Sequence, residues 1–98
     1  MISETLRARS RQFAFDVIDL CLSLGRDPLN DLVRPQLLRS GTGIVANYRG
    51  ATRSRSDREF VSRMAVVVEE ADESELWLDV LEVKKRGPAK VVTMLRAE

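Results

Sequence analysis

The apolar side chains of this chain recur three and four residues apart, the spacing that places them on one face of an α-helix. In the first quarter of the chain this spacing is carried by Phe13, Val17, Leu20 and Leu24. It predicts a first helix over about residues 3–24, which ends at Gly25. The segment 26–31 is predicted to be a short turn.

A second helix is predicted to reach about Ala51, with Pro35 in its first turn, where the missing N–H of proline would be unpaired in any case. Gly41 and Gly43 interrupt its apolar face. Each glycine inside a helix costs about 1 kcal/mol relative to alanine. The pair therefore predicts that another backbone packs closely against this helix. The alternative, a phosphate-binding loop, is disfavoured because the spacing of the glycines does not match.

The third helix has the most regular pattern in the chain. Ser56 and Glu59 have the spacing of a capping box and predict where it begins. Its stripe then repeats like a heptad through Phe60, Met64, Val67, Ala71, Ser74, Leu78 and Leu81. The helix is predicted to run to about Val83, and after the basic turn 84–88 a short fourth helix is predicted over about residues 89–97.

The bulk composition narrows the class of protein. The chain has 98 residues, of which 44% are hydrophobic and 32% charged, which fits a single domain over residues 1–98. No membrane span or signal peptide is recognisable, so a cytoplasmic protein is expected. Cys21 is expected to be a buried small hydrophobe. Because histidine is absent, we expect no enzyme, cofactor or metal site, and a magnesium-dependent enzyme is a minor alternative.

Charges of opposite sign are segregated along the chain although the net charge is only +1. Between residues 64 and 82 there are seven acids and no base. Short connections predict antiparallel helices, an arrangement that brings eight arginines to one end. We call them the arginine patch: Arg7, Arg9, Arg11, Arg49, Arg53, Arg55, Arg58 and Arg63.

Three interpretations of the arginine patch remain open: binding of a phosphate backbone, pairing with acids of another subunit, or simple solvation. Every cation before residue 84 is arginine, whose planar guanidinium suits bidentate phosphate or carboxylate recognition. The acidic stretch is either a solvated face or pairs with arginines of another helix or subunit. The candidate nucleic-acid-binding residues are Arg7, Arg11, Arg49, Arg53, Arg55, Arg58 and Arg63.

The fourth helix is too short to cover the other three. An apolar surface should therefore stay partly uncovered around Phe13, Tyr48, Phe60 and Met64, which predicts a partner or an oligomer. Asn47 is expected to bond to a neighbouring helix or turn in preference to a ligand. Trp77 is expected to pack in the core or an interface and not to stack on a base.

Three short patterns carry a family resemblance: Arg-Ser-Gly-Thr-Gly-Ile-x-Ala-Asn-Tyr at residues 39–48, Ser-Asp-x-Glu-Phe at 56–60, and Glu-Ala-x-Glu with Trp-Leu at 70–78. Over roughly residues 10–82 the chain resembles the four-helix-bundle proteins named for 23S ribosomal RNA intervening sequences. That family includes the accessory protein of diversity-generating retroelements. Many relatives have a small polar residue in place of Gly43 and a glutamate in place of Gly50, so no role of that glutamate is transferred.

The resemblance implies an all-α, antiparallel up-down-up-down four-helix bundle that assembles into ring-like pentamers. It also implies nucleic-acid binding and, in one branch, assistance to a reverse transcriptase. Relatives have a longer last helix, so this chain is expected to be truncated by comparison. The function expected is an oligomeric accessory protein that binds RNA or DNA phosphates, and the alternative is a structural protein–protein interaction module.

Overall fold

The computed structural model describes residues 2–97, with side chains over 4–96, and it is built from four α-helices. These are α1 (Ile2–Ser23), α2 (Pro28–Ala51), α3 (Asp57–Val83) and α4 (Ala89–Ala97). The all-α bundle expected from the sequence is confirmed. Helix α2 packs against both α1 and α3, and α4 packs on α3 and α1 at one end. The core contains Val17, Leu20, Val33, Leu37, Leu78, Leu81, Val92 and Leu95.

The start of α2 differs from the prediction. Asp27 is the N-cap, and its side chain accepts a hydrogen bond of 2.8 Å from the Asn30 backbone N–H. Pro28 therefore takes the first-turn position, residues 28–31 are helical, and Pro35 lies inside the helix. Both prolines satisfy the rule that favours proline in a first turn, and the capping aspartate before Pro28 decides between them.

Close packing is present at Gly41, but the group that approaches is a side chain and not the predicted backbone. A Cβ on Gly41 would lie 2.9 Å from Val17 Cγ1 of α1. The space beside Gly43 is occupied by the carboxylate of Glu70 from α3. Asn47 donates hydrogen bonds from Nδ2 to that carboxylate and to the Gly43 carbonyl oxygen. The expected bond from Asn47 to a neighbouring helix is thus present, and the glycines let α1 and α3 approach α2 from two sides.

Helix α3 begins and ends where the pattern indicates. Ser56 is its N-cap and accepts a bond of 3.1 Å from the Glu59 N–H, while the Glu59 carboxylate bonds to Arg63. The helix ends at Val83, and Gly87 in the following turn has a φ of 73°, a conformation that favours glycine. Helix α4 then returns alongside the last turns of α3.

Candidate nucleic-acid interface

The antiparallel order of the helices places the arginine patch at one end of the molecule. The beginning of α1, the 52–56 connection and the first turns of α3 all lie at that end. Arg7, Arg53, Arg55 and Arg58 have exposed side chains. Among the described residues, no carboxylate forms an ion pair with Arg53, Arg55 or Arg58. These three guanidinium groups can therefore meet a ligand without breaking an internal pair.

The other three candidate arginines are held against the protein. Arg11 stacks on Phe15, with its Cζ 4.4 Å from the ring centroid. Arg63 donates from Nε to Glu59 at 3.1 Å. Arg49 is half-buried, and its Nε is buried without a hydrogen-bond partner. Six of the seven candidates are thus exposed, but Arg11 and Arg63 are also held by contacts within the chain, and Arg49 is partly covered.

Arg63 also lies beside the glycine at residue 50. A Cβ at Gly50 would lie 2.8 Å from Arg63 Nη1, so the guanidinium of α3 lies against the end of α2. This contact and the Glu59 pair fix Arg63 at the inner edge of the patch. Arg63 is accordingly less free to meet a ligand than the exposed Arg53 and Arg55.

Acids at the opposite end of α3 are paired within the chain. Arg96 of α4 contacts Glu75 at 2.7 Å, Asp79 at 3.0 Å and Glu82 at 2.6 Å. The Thr93 hydroxyl donates to Glu82 at 2.9 Å, and this bond together with Arg96 lowers the pKa of Glu82. Of the two interpretations of the acidic stretch, pairing with an arginine from another helix is correct for these three residues.

The remaining acids of α3 are divided between pairing and solvation. Glu73 pairs with Arg39 of α2 at 3.4 Å, and Glu70 bonds to Asn47 as described above. Glu69 and Asp72 are exposed. Two arginines, Arg39 and Arg96, thus contact four of the seven acids in the stretch 64–82, which keeps a net negative charge.

An apolar groove lies between α1 and α3, beyond the last turn of α4. Its volume is about 510 Å³, and its lining includes Leu6, Phe13, Ile44 and Val67. The expected uncovered surface is confirmed for Phe60, which is 42% exposed, and for Phe13 and Met64, which are half-buried. The expectation is wrong for Tyr48, which is only 4% exposed because its position on α2 faces the bundle interior.

Other sequence expectations concern Cys21 and Trp77. Cys21 is buried, and desolvation raises the pKa of its thiol to about 11 against a smaller opposing effect of Arg34. It is thus a core residue and not an activated nucleophile. Trp77 packs against the core, as expected, with its indole N–H buried and without a hydrogen-bond partner.

Sequence reasoning did not identify Arg34 as a structural residue. Its guanidinium donates to three carbonyl oxygens at the end of α1. These belong to Cys21, Leu24 and Gly25, at 3.3, 2.9 and 2.8 Å. The available signal was indirect: the last turn of α1 has no basic residue of its own, so its carbonyl oxygens need donors from another element. Among residues 2–97, no three His, Cys, Asp or Glu side chains gather as a metal site.

A solved structure closely matches this fold. It is that of a protein of unknown function from the S23 ribosomal protein family of Bacteroides thetaiotaomicron, with a TM-score of 0.89 and 27% sequence identity. The match covers 99% of this chain and 87% of that one. No protein-family model and no curated protein matches the chain. The chain is thus similar, in fold and in sequence, to a member of the S23 ribosomal protein family.

None of the described helices is both long and apolar enough to cross a membrane.

Proposed function

We propose that this protein belongs to the family of the 23S ribosomal RNA intervening-sequence proteins and acts as an oligomeric, non-enzymatic accessory protein. In this proposal the arginine patch binds nucleic acid through its phosphates. The supporting observation is the contrast between the two ends of the molecule: Arg53, Arg55 and Arg58 are exposed and without a described carboxylate partner, whereas the acids near α4 are paired with Arg96.

Phosphate binding follows from the chemistry of these exposed side chains. A guanidinium group donates in a planar fork that fits two phosphate oxygens, and several such groups on one surface neutralise neighbouring phosphates. Contacts of this kind position a nucleic acid but read little of its base sequence. Binding that is sensitive to salt and tolerant of sequence is therefore expected.

Self-association is the second part of the proposal. Large apolar side chains are exposed on two different helices, Phe15 and Leu22 on α1 and Leu76 and Val83 on α3. Two different surfaces that meet head to tail generate a closed ring when the rotation allows it. A pentamer, which the family resemblance implies, would repeat the arginine patch around its axis and multiply the phosphate contacts.

The alternative is a protein–protein interaction module whose arginines bind acids of a neighbouring subunit or of a partner such as a reverse transcriptase. Glu73, Glu75, Asp79 and Glu82 share only two arginines of their own chain, and Glu69 and Asp72 are exposed, so a neighbouring subunit can still supply acids. Both forms of the alternative, a neighbouring subunit and a partner protein, predict weak or no binding of free RNA and DNA.

Titrating RNA and DNA duplexes into the protein at several salt concentrations distinguishes nucleic-acid binding from the protein–protein interaction module. We expect affinity to fall steeply as salt increases, and the variant with Arg53, Arg55 and Arg58 all changed to Gln to show a flatter salt dependence. Helicity should be unchanged because none of the three side chains is buried.

The matched control changes Lys84, Lys85 and Lys90 to Gln, which removes the same charge from the opposite end of the protein. Equal losses in both triple variants would reduce the effect to net charge and contradict a localised site. A variant with the three arginines changed to lysine tests the guanidinium fork, since it keeps the charge and removes the bidentate geometry. If the arginine variant altered only oligomer mass, the interaction module would replace the proposed function.

A further inference from the structure

The outer face of α3 carries exposed apolar side chains that point away from α4. Arg96 of α4 contacts Glu75 and Glu82. Leu76 and Val83 each follow one of these acids by a single residue and are 50% and 64% exposed. One residue turns an α-helix by about 100°, so both apolar side chains lie well to one side of the α4 contact. A helix that continued the present course of α4 would therefore leave them uncovered.

Helix α1 has a matching exposed face. Phe15 lies two residues, or about 200° around the helix, beyond Phe13, which lines the groove beside α4. It therefore points away from that groove. Residues seven apart share one face of a helix. We call two such sets of exposed residues the α1 stripe, which is Ala8, Phe15 and Leu22 with Arg11 beside them, and the α3 stripe, which is Glu69, Leu76 and Val83.

Contacts through α2 show which residues of α1 and α3 lie at the same level of the bundle. A Cβ on Gly41 of α2 would lie 2.9 Å from Val17 of α1. The preceding residue, Ser40, accepts a hydrogen bond of 2.8 Å from the Ser74 hydroxyl of α3. Val17 is therefore level with Ser74, and the levels of the two stripes follow by counting along each helix.

The apolar members of the two stripes alternate in level. Phe15 is level with residue 72, which lies between Glu69 and Leu76. Leu22 is level with residue 79, which lies between Leu76 and Val83. If the two stripes meet side by side and in the same direction, each large side chain of α1 enters a gap of α3, as knobs enter holes in a coiled coil.

The charges of the two stripes are complementary at the same register. Arg11 is level with residue 68, next to Glu69. Glu69 is exposed, and no described cation forms an ion pair with it. The Arg11 guanidinium lies 4.4 Å from the centroid of the Phe15 ring, so it is already held on the α1 stripe. An arginine and a glutamate of two copies would thus face each other.

We propose that the α1 stripe of one copy of this chain packs in parallel on the α3 stripe of the next copy, with Arg11 paired to Glu69 across the interface. The inference rests on the self-association in the proposed function and names its faces, direction and ion pair. Because α1 and α3 run in the same direction, rotation about an axis along the bundle brings them together in parallel, and repeated rotation closes a ring. Arg11 is thereby assigned to assembly and not to phosphate binding.

The first test exchanges the two charges. Arg11→Glu and Glu69→Arg each place like charges across the interface, and each should raise the protein concentration at which the oligomer half-dissociates by about tenfold in sedimentation experiments. The double variant restores the attraction and should recover the wild-type value. Arg55→Glu makes the same charge change at an exposed arginine outside both stripes and should leave the value unchanged.

Thiol cross-linking tests the register independently of charge. The variant with Arg11→Cys and Glu69→Cys, treated with a short bismaleimide, should yield a ladder of covalently linked copies. The control combines Glu69→Cys with Ser23→Cys, an exposed position level with residue 80 and thus about 16 Å along the helix from Glu69. It keeps the apolar residues of both stripes and should remain mostly unlinked. Cys21 is buried and common to both variants.

Two results would overturn the inference while self-association stands. The first is an oligomer whose dissociation is unchanged in both single charge variants, or is not restored in the double variant. The second is equal cross-linking of the two cysteine pairs, which would contradict the parallel register. A wild-type chain that is monomeric at micromolar concentration would instead contradict the self-association on which the inference rests.

Discussion

Gly41 is a position where a single hydrogen atom in place of a side chain determines how two helices meet. A Cβ there would lie 2.9 Å from Cγ1 and 3.3 Å from Cβ of Val17, which is 0% exposed and has no room to move away. Gly25, by contrast, has nothing within 4 Å of its Cβ position. The two glycines therefore provide a buried site and an open control.

Gly41→Leu should lower the free energy of unfolding by about 1 to 3 kcal/mol, because the added side chain overpacks the α1–α2 contact. Gly25→Leu should change it by less than about 0.5 kcal/mol, as for other surface substitutions. Urea unfolding followed by circular dichroism measures both. Full stability of Gly41→Leu would mean that α1 and α2 can separate freely at this point.

Cys21 gives the protein a pH dependence in the alkaline range. Burial raises the pKa of its thiol from 9.0 to about 11, so between these values the folded chain holds a proton that the unfolded chain releases. Stability should therefore fall as pH rises above about 9, by roughly 1.4 kcal/mol for each unit of pKa difference. Comparing wild type with Cys21→Ala between pH 8 and 11 isolates this contribution, since every other side chain is common to both proteins. Parallel curves would contradict it.

At the scale of the helix, α1 shows how a neighbouring helix stabilises a helix end. The carbonyl oxygens that end α1 are satisfied by Arg34 of α2 and by Asn30 Nδ2, which donates to Gly25 at 3.0 Å. Helix α1 has no basic residue in its own last turn. Its end is therefore stabilised from a neighbouring helix, a contact that local sequence rules do not describe.

Arg34→Gln should destabilise the protein by about 1 to 3 kcal/mol, because it leaves several carbonyl oxygens of a partly buried helix end without donors. Arg26→Gln is the control, since the Arg26 side chain is 85% exposed and its ion pair with Asp31 is worth about 1 kcal/mol or less. Thermal unfolding distinguishes them. Equal effects of the two variants would show that water hydrogen-bonds to the α1 carbonyl oxygens once Arg34 is removed.

Helix α4 depends on Arg96. Hydrogen bonds from Thr93 and Arg96 lower the pKa of Glu82, so the ionised carboxylate stabilises the fold at pH above its unfolded value of about 4.3. This contribution is lost as pH falls through the lower folded pKa. The hydrogen-exchange protection factors of the α4 amides should therefore fall on acidification relative to those of α2, and Arg96→Gln should lower them already at neutral pH. Lys90→Gln, exposed on the same helix, should not.

The sequence predicted the extent of these helices well and their contacts less well. The stripe from Phe60 to Leu81 and the Ser56 cap located α3 because each depends on residues within one or two turns. Pro35 was assigned to the wrong position because the rule for proline holds equally at Pro28. Arg34 could not be assigned from local pattern, since its partners lie on another helix.

For the candidate interface, the antiparallel order of the helices placed the arginines at one end. The sequence pattern alone could not show that Arg11 stacks on Phe15 or that Arg63 covers Gly50.

At the scale of the whole molecule, large apolar side chains are exposed on both α1 and α3. Phe15 and Leu22 of α1 are 45% and 79% exposed, and Leu76 and Val83 of α3 are 50% and 64% exposed. A monomer would leave all four in water, at a cost of about 25 cal/mol for each Å² of apolar area that association could bury. An interface between these two stripes leaves Arg53 and Arg55 free at the end of the bundle.

The protein should therefore be a homo-oligomer in dilute solution, with a mass near five times that of the protomer by light scattering. Leu22→Glu and Leu76→Glu each introduce a charge into one of the two exposed stripes and should lower the mass without loss of helicity. Leu32→Glu, at an exposed leucine of α2 outside both stripes, is the control and should leave the mass unchanged.

Because a head-to-tail interface needs one intact stripe from each protomer, an equimolar mixture of the Leu22→Glu and Leu76→Glu variants should form dimers through the remaining intact pair and no larger closed rings. A wild-type monomer at micromolar concentration would contradict the assembly, and tetramers or larger rings in the mixture would contradict the head-to-tail geometry.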